Sequence, residues 1–206
     1  MGQTLNKIVR HNAKVDAVLS GDALEPYRAP VPASCWWCGS RGPLTHEHKF
    51  KKSDLNRMQN PSGLVWGGNE VRPVKSVRKS ADVRFTASLC AKCNNEVSQP
   101  FDCAYQIFSD FVWGRSELWD SARIDWFEVY GQDWEYRTLD LARYIVKHLG
   151  CRLVHDGFSV PPSVVAFLDG VPTIADVALV LIKSEQHHQL YLTGVRDSIN
   201  TEPPRV

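Results

Sequence analysis

Two C-x-x-C pairs, CWWC at Cys35–Cys38 and CAKC at Cys90–Cys93, constrain what this chain can fold into more than any other feature. Two residues between cysteines let both thiolates of a tight turn face one tetrahedral ion, and two such turns complete a four-cysteine site for Zn²⁺. The glycine after the first pair (CWWCGS) suits such a knuckle because glycine tolerates positive φ. A redox site of the thioredoxin kind needs a single C-x-x-C in a βαβ setting, and here there are two pairs and no such pattern. The remaining cysteines, Cys103 and Cys151, stand alone in apolar helical contexts, where a buried free thiol is the default. Structural zinc on Cys35, Cys38, Cys90 and Cys93 is therefore expected, and it would close a long loop from Gly39 to Leu89.

That loop is basic. From Lys49 to Arg84 nine lysines and arginines, among them Lys49, Lys51, Lys52 and Arg57, face only Asp54, Glu70 and Asp82. The whole chain carries a net charge of only +1, so this is a local footprint for a polyanion within a near-neutral protein. A solvated loop is the plain alternative. Hydrophobic residues make up 43% of the 206 positions, with seven tryptophans, which is enough for a packed core. No apolar run approaches the roughly 20 residues of a membrane span. The N-terminus lacks the apolar centre of a signal peptide, and its resemblance to a myristoylation signal fails at Asn6. A soluble, cytoplasmic protein is expected, a setting in which paired cysteines serve metal before disulfides.

Inside the loop lies LTHEHKF, which places His46, Glu47 and His48 in a row. Read in order, CWWCGS, THEHKF and LCAKCNN resemble the zinc-stapled branch of the HNH, or ββα-metal, endonucleases. The resemblance covers roughly Cys35 to Asn95, under a third of the chain. It implies an α+β fold: a zinc-stapled ββα-metal core with an elaborated β-hairpin, followed by an α-rich C-terminal region. It also implies roles. His48 would be the general base that deprotonates an attacking water. Glu47 and Asn94 would bind a catalytic Mg²⁺ or Mn²⁺, with zinc on the four cysteines away from the chemistry. His46 and Asn95 would be auxiliary, and Lys49, Lys51, Lys52 and Arg57 would meet nucleic acid, DNA before RNA. The chemistry is consistent: histidine has a reference pKa near 6.5, and carboxylate and amide oxygens are hard ligands suited to Mg²⁺. Successive residues of a strand point to opposite faces, so Glu47 and His48 share a site only if the strand is distorted there. Period two puts His46 on the face of His48.

The sequence departs from that family in three places. The central asparagine expected before the second cysteine pair is missing from ADVRFTASLC, leaving Asn56, Asn60 or Asn69 as substitutes. The segment between Glu47–His48 and CAKC is long, and GLVW, EVRPVKSV and VRFTASL predict strands of an elaborated hairpin. Pro100 falls where the motif helix should run, so either that helix is short or Ser98–Gln99 begin a new one.

Elsewhere, apolar residues from Leu5 to Leu19 predict an N-terminal helix ending at Gly21, followed by a proline-rich connector. Phe101, Tyr105, Phe108 and Val112 predict a helix, as do Leu139, Ala142, Val146 and Leu149, with Gly150 as C-cap. FSVPPSVVAFLDG predicts a short helix, and ALVLIKS and QLYLTGV a terminal hairpin around His187–His188. The expected division is a helix and linker at 1–30, a nuclease core at 31–112 and an α-rich region with the terminal hairpin at 113–206. Two further classes compete with the nuclease: a non-catalytic zinc module binding nucleic acid or protein, and a purely structural zinc domain.

Overall fold

The structure, a computed structural model, describes residues 21–58, 64–66, 72–74, 76, 80–115, 123–174 and 177–179. The expected N-terminal helix, the terminal hairpin with His187–His188, Asn60 and Asn69 all lie outside the described residues. The described residues begin in helix, α1 (Gly21–Leu24), so the chain is still helical past Gly21, and it then passes into a 3₁₀ turn at Glu25–Tyr27.

Among the described residues the architecture is α+β, with two small antiparallel sheets and a set of helices. Strand β1 (Leu44–Thr45) is separated from its partner by α2 (Lys52–Met58) and by a β2–β3 pair (Val65–Trp66 with Arg72–Pro73). Of the three predicted strands, GLVW and EVRPVKSV thus give two paired residues each, whereas VRFTASL gives a single bridge at Arg84 and the first residue of the strand at Leu89. The partner is β4 (Leu89–Cys90), in the register Leu44↔Cys90 and Thr45↔Leu89.

Beyond Thr45 the ladder breaks and resumes as one bridge, His48↔Arg84, so that His46 and Glu47 stand opposite the four residues from Phe85 to Ser88. Backbone bonds on either side hold this bulge, from Ser88 N–H to the Thr45 carbonyl (3.2 Å) and from Phe85 N–H to the Glu47 carbonyl (2.9 Å). A bulge re-aims side chains that a regular strand would send to opposite faces.

After β4 the chain makes a π-helical turn, Lys92–Val97, and then begins α3 (Gln99–Trp113) with Pro100 in its first turn. Proline is tolerated there because first-turn N–H groups have no partner within the helix. Of the two alternatives for Pro100, a new helix at Ser98–Gln99 is the one observed. Helices α4 (Trp126–Tyr130), α5 (Trp134–His155) and α6 (Pro162–Leu168) complete the order. α5 lies along α3, with the rings of Tyr105 and Tyr144 stacked at 4.1 Å.

The core joins the cysteine turns to the helices: Cys35, Trp37, Leu89, Phe101, Tyr144, Val146, Cys151 and Phe167 belong to one buried cluster. Trp37 also donates its indole N–H to Asp169 Oδ1 at 2.8 Å, which fixes the knuckle to the end of α6. Cys151 is buried as expected, whereas Cys103 is exposed on α3.

Gly150 is not the cap of α5. The helix runs on to His155, and Gly157 (φ +81°) closes it, with N–H bonds from Gly157 to Val154 and from Phe158 to Leu153. That pairing is a Schellman motif. Gly150 serves another purpose, since a Cβ there would lie 2.5 Å from the ring of Trp36 in the CWWC turn. No helix among the described residues is long and apolar enough to cross a membrane.

Candidate metal centre and active site

The CWWC turn is built by reciprocal backbone bonds, Gly39 N–H to the Cys35 carbonyl and Cys35 N–H to the Ser40 carbonyl, both 2.8 Å. Gly39 takes φ +74°, the left-handed conformation glycine permits. CAKC enters from the end of β4 and the start of the π turn. The β1–β4 register then brings the two pairs together: the four sulfurs of Cys35, Cys38, Cys90 and Cys93 lie within 4.8 Å of one another. Cys35, Cys90 and Cys93 are buried and Cys38 is exposed. A hydrogen bond from the backbone at Ser40 brings the Cys38 thiol down to about 7, which favours the thiolate a metal needs, while burial pushes Cys93 up. Four soft sulfur donors at this spacing fit a metal such as zinc.

Beside this cluster opens a cavity of about 320 Å³ whose lining includes Glu47, His48, Lys51, Lys52, Asn94 and Asn95. Glu47 and His48 share it because of the bulge, and Asn94 reaches it from the π turn. Asn94 is 8% exposed, and its orientation is fixed by hydrogen-bond logic. Thr45 Oγ1 donates its one proton to the Leu89 carbonyl (2.9 Å), so it accepts from Asn94 Nδ2 (3.1 Å). This leaves Asn94 Oδ1 buried with no hydrogen-bond partner among the described residues. An orphaned hard oxygen on a residue that lines the cavity is the kind of acceptor that fits a divalent cation or a donor from substrate.

Glu47 is not an open ligand. Its Oε1 lies 3.1 Å from His148 Nε2 and 3.2 Å from Lys147 Nζ, and neither contact involves Oε2. Burial alone would raise its pKa, but the hydrogen bond from His148 and the charge of Lys147 outweigh it and hold the carboxyl below its ordinary range. The four cysteines form the one group of three or more His, Cys, Asp or Glu side chains among the described residues that is close enough to cage a metal.

The other sequence candidates are scattered. His46 does not line the cavity; its Nδ1 donates to the Phe85 carbonyl at 2.8 Å, bracing the bulge. Lys49 lies over the Phe85 ring and reaches the Ala81 carbonyl. Arg57 turns to Asp54, Ser109 and Asp110 and fastens α2 to α3. Asn56 is exposed on α2. Four site residues escaped the sequence reading: Lys147 and His148 on α5, and Ser98 and Asp102 at the start of α3. The available signal was a Lys-His pair three and four residues after Tyr144, inside an apolar helix. No protein-family model matches the chain, nor does any curated protein or any solved structure.

Proposed function

We propose that the chain is an HNH-type endonuclease that hydrolyses phosphodiester bonds in nucleic acid, DNA in the first instance, with Mg²⁺ or Mn²⁺. The observation that carries this reading is the convergence of Glu47, His48 and Asn94 on one cavity, lined also by Lys51 and Lys52. The reading keeps a ββα-metal core, stapled by zinc, as the scaffold that holds them.

His48 accepts the proton of a water that attacks the scissile phosphorus. A new P–O bond forms as the bond to the leaving 3′-oxygen breaks. Glu47 and Asn94 would hold the divalent ion, which would supply charge stabilisation at the phosphate and the leaving oxygen. Lys51 and Lys52 hold the strand by its phosphates. The second reading, a non-catalytic zinc module, draws on the engagement of Glu47 by Lys147 and His148.

The assay that separates them incubates zinc-loaded protein with plasmid DNA and Mg²⁺ or Mn²⁺, with and without EDTA, beside His48→Ala. Cleavage that needs the metal and falls by about a hundredfold or more in His48→Ala is expected, the usual scale of a lost general base. A folded protein holding about one zinc that cuts under no metal, or cuts equally well as His48→Ala, removes the proposal.

A further inference from the structure

Lys147 is 0% exposed, although it carries a charge. Its ammonium is ion-paired with Glu47 Oε1 at 3.2 Å and donates to Ser98 Oγ at 3.2 Å and to Asp102 Oδ2 at 3.4 Å. Ser98 Oγ in turn donates to the Asn94 carbonyl at 2.8 Å. One cation from α5 therefore grips the Glu47 loop directly and the Asn94 turn through Ser98. On the other side of Asp102, Lys51 Nζ lies 2.6 Å from Oδ1. Two carboxylates, Glu47 and Asp102, face three ammonium groups, Lys147, Lys51 and Lys52, and His148 also lies on Glu47. The cavity offers a divalent ion oxygen ligands but no surplus negative charge, and hard-ion affinity rises with ligand charge.

We infer that Lys147 is a positioning residue of this site whose charge makes uptake of the divalent ion depend on the phosphate that arrives with the substrate. The inference rests on the nuclease reading and adds an order of events to it. Lys147 fixes Glu47 Oε1 and the Asn94 turn in one frame while cancelling the carboxylate charge. The phosphodiester then brings both the missing negative charge and further oxygen ligands, so ion and phosphate bind together.

The test titrates Mn²⁺ into full-length, zinc-loaded protein and reads free Mn²⁺ by electron paramagnetic resonance. It is run with and without a short DNA duplex, subtracting DNA alone, and His48→Ala is the background so that nothing is cut. The background protein should bind Mn²⁺ weakly by itself and about tenfold or more tightly with the duplex. Adding Lys147→Met should tighten Mn²⁺ binding without DNA by about tenfold or more, because a unit charge a few ångströms away has been removed. Adding Asp102→Asn instead should weaken it.

Replacing a buried ion-paired residue by an apolar one of similar length is often tolerated, and zinc content with a thermal transition reports folding. Lys147→Gln replaces the methionine variant should that one lose zinc, and Asp102→Asn decides alone should both fail to fold. Unchanged or weaker Mn²⁺ binding in a folded Lys147 variant overturns the inference, as does unchanged binding in Asp102→Asn. If the otherwise wild-type protein still cuts DNA in a His48-dependent way, only this inference falls. Absent Mn²⁺ binding together with absent cleavage removes the nuclease reading with it.

Discussion

At Gly150 the demands of one residue's backbone and its neighbour's ring meet. Glycine inside a helix costs about 1 kcal/mol relative to alanine, so Gly150→Ala would stabilise α5 taken by itself. In the folded chain the added methyl would lie 2.5, 2.7 and 3.0 Å from three ring atoms of Trp36, in a turn held by the cysteine cluster. Overpacking of this kind costs about 1–3 kcal/mol, and the steric term should win. Gly150→Ala is expected to lower the melting temperature by several degrees in thermal unfolding, at about 2–4 °C per kcal/mol for a chain of this size. An equal or higher melting temperature would show that Trp36 yields freely. The sequence misled here because a glycine after an apolar helical stretch reads as a cap, and the ring it must clear is over a hundred positions away. Lys147 was hidden for a related reason, since a lysine in an amphipathic helix reads as solvent-facing unless its partners are known. Glu47, His48 and Asn94 were legible because each sits next to a local landmark, a histidine or a cysteine.

Among elements, the β1–β4 ribbon and the cysteine turns depend on each other. Each strand has only two residues, Leu44–Thr45 and Leu89–Cys90, far below what a two-stranded sheet needs to stand alone in water. The cysteine cluster supplies the closure, and metal binding in such a cluster is folding free energy. Zinc removal by chelation, or Cys90→Ser, is therefore expected to release about one zinc per chain and lower the melting temperature by roughly 10 °C or more. Metal analysis and calorimetry check both, and a serine variant that loses zinc yet melts at the parent temperature would contradict the dependence. The paired spacing made the cluster readable, and proline's restriction to a first turn made the start of α3 readable at Ser98–Gln99. The bulge at His46–Glu47 was not, because its four opposing residues, Phe85 to Ser88, carry no turn signal that fixes the register.

For the whole molecule, the question is whether the cysteine-stapled segment 31–112 folds without the helices C-terminal to it. Among the described residues the buried cluster has thirteen members, and six of them (Tyr144, Val146, Cys151, Val164, Phe167 and Leu168) come from α5 and α6. Burial of an apolar side chain contributes about 1.5–3 kcal/mol, so the contribution of six of them is comparable with the roughly 5–15 kcal/mol by which whole proteins are stable. The fragment would also lose the Tyr105–Tyr144 stack, the Trp37–Asp169 bond and both groups that grip Glu47 Oε1. Zinc on the four cysteines would still close the loop between the pairs, but it would not replace the wall that α5 provides. Residues 31–112 with one equivalent of zinc are therefore expected to show no cooperative thermal transition and poor dispersion in a proton–nitrogen correlation spectrum, whereas the full chain shows both a transition and dispersed peaks. A cooperatively melting, well-dispersed fragment would mean that the cysteine segment is a domain in its own right and that α5 is a lid laid over a finished site. The buried Lys147 argues for the first outcome: its acceptors are Glu47, Ser98 and Asp102, so the core on one side of position 112 is charge-balanced by the other.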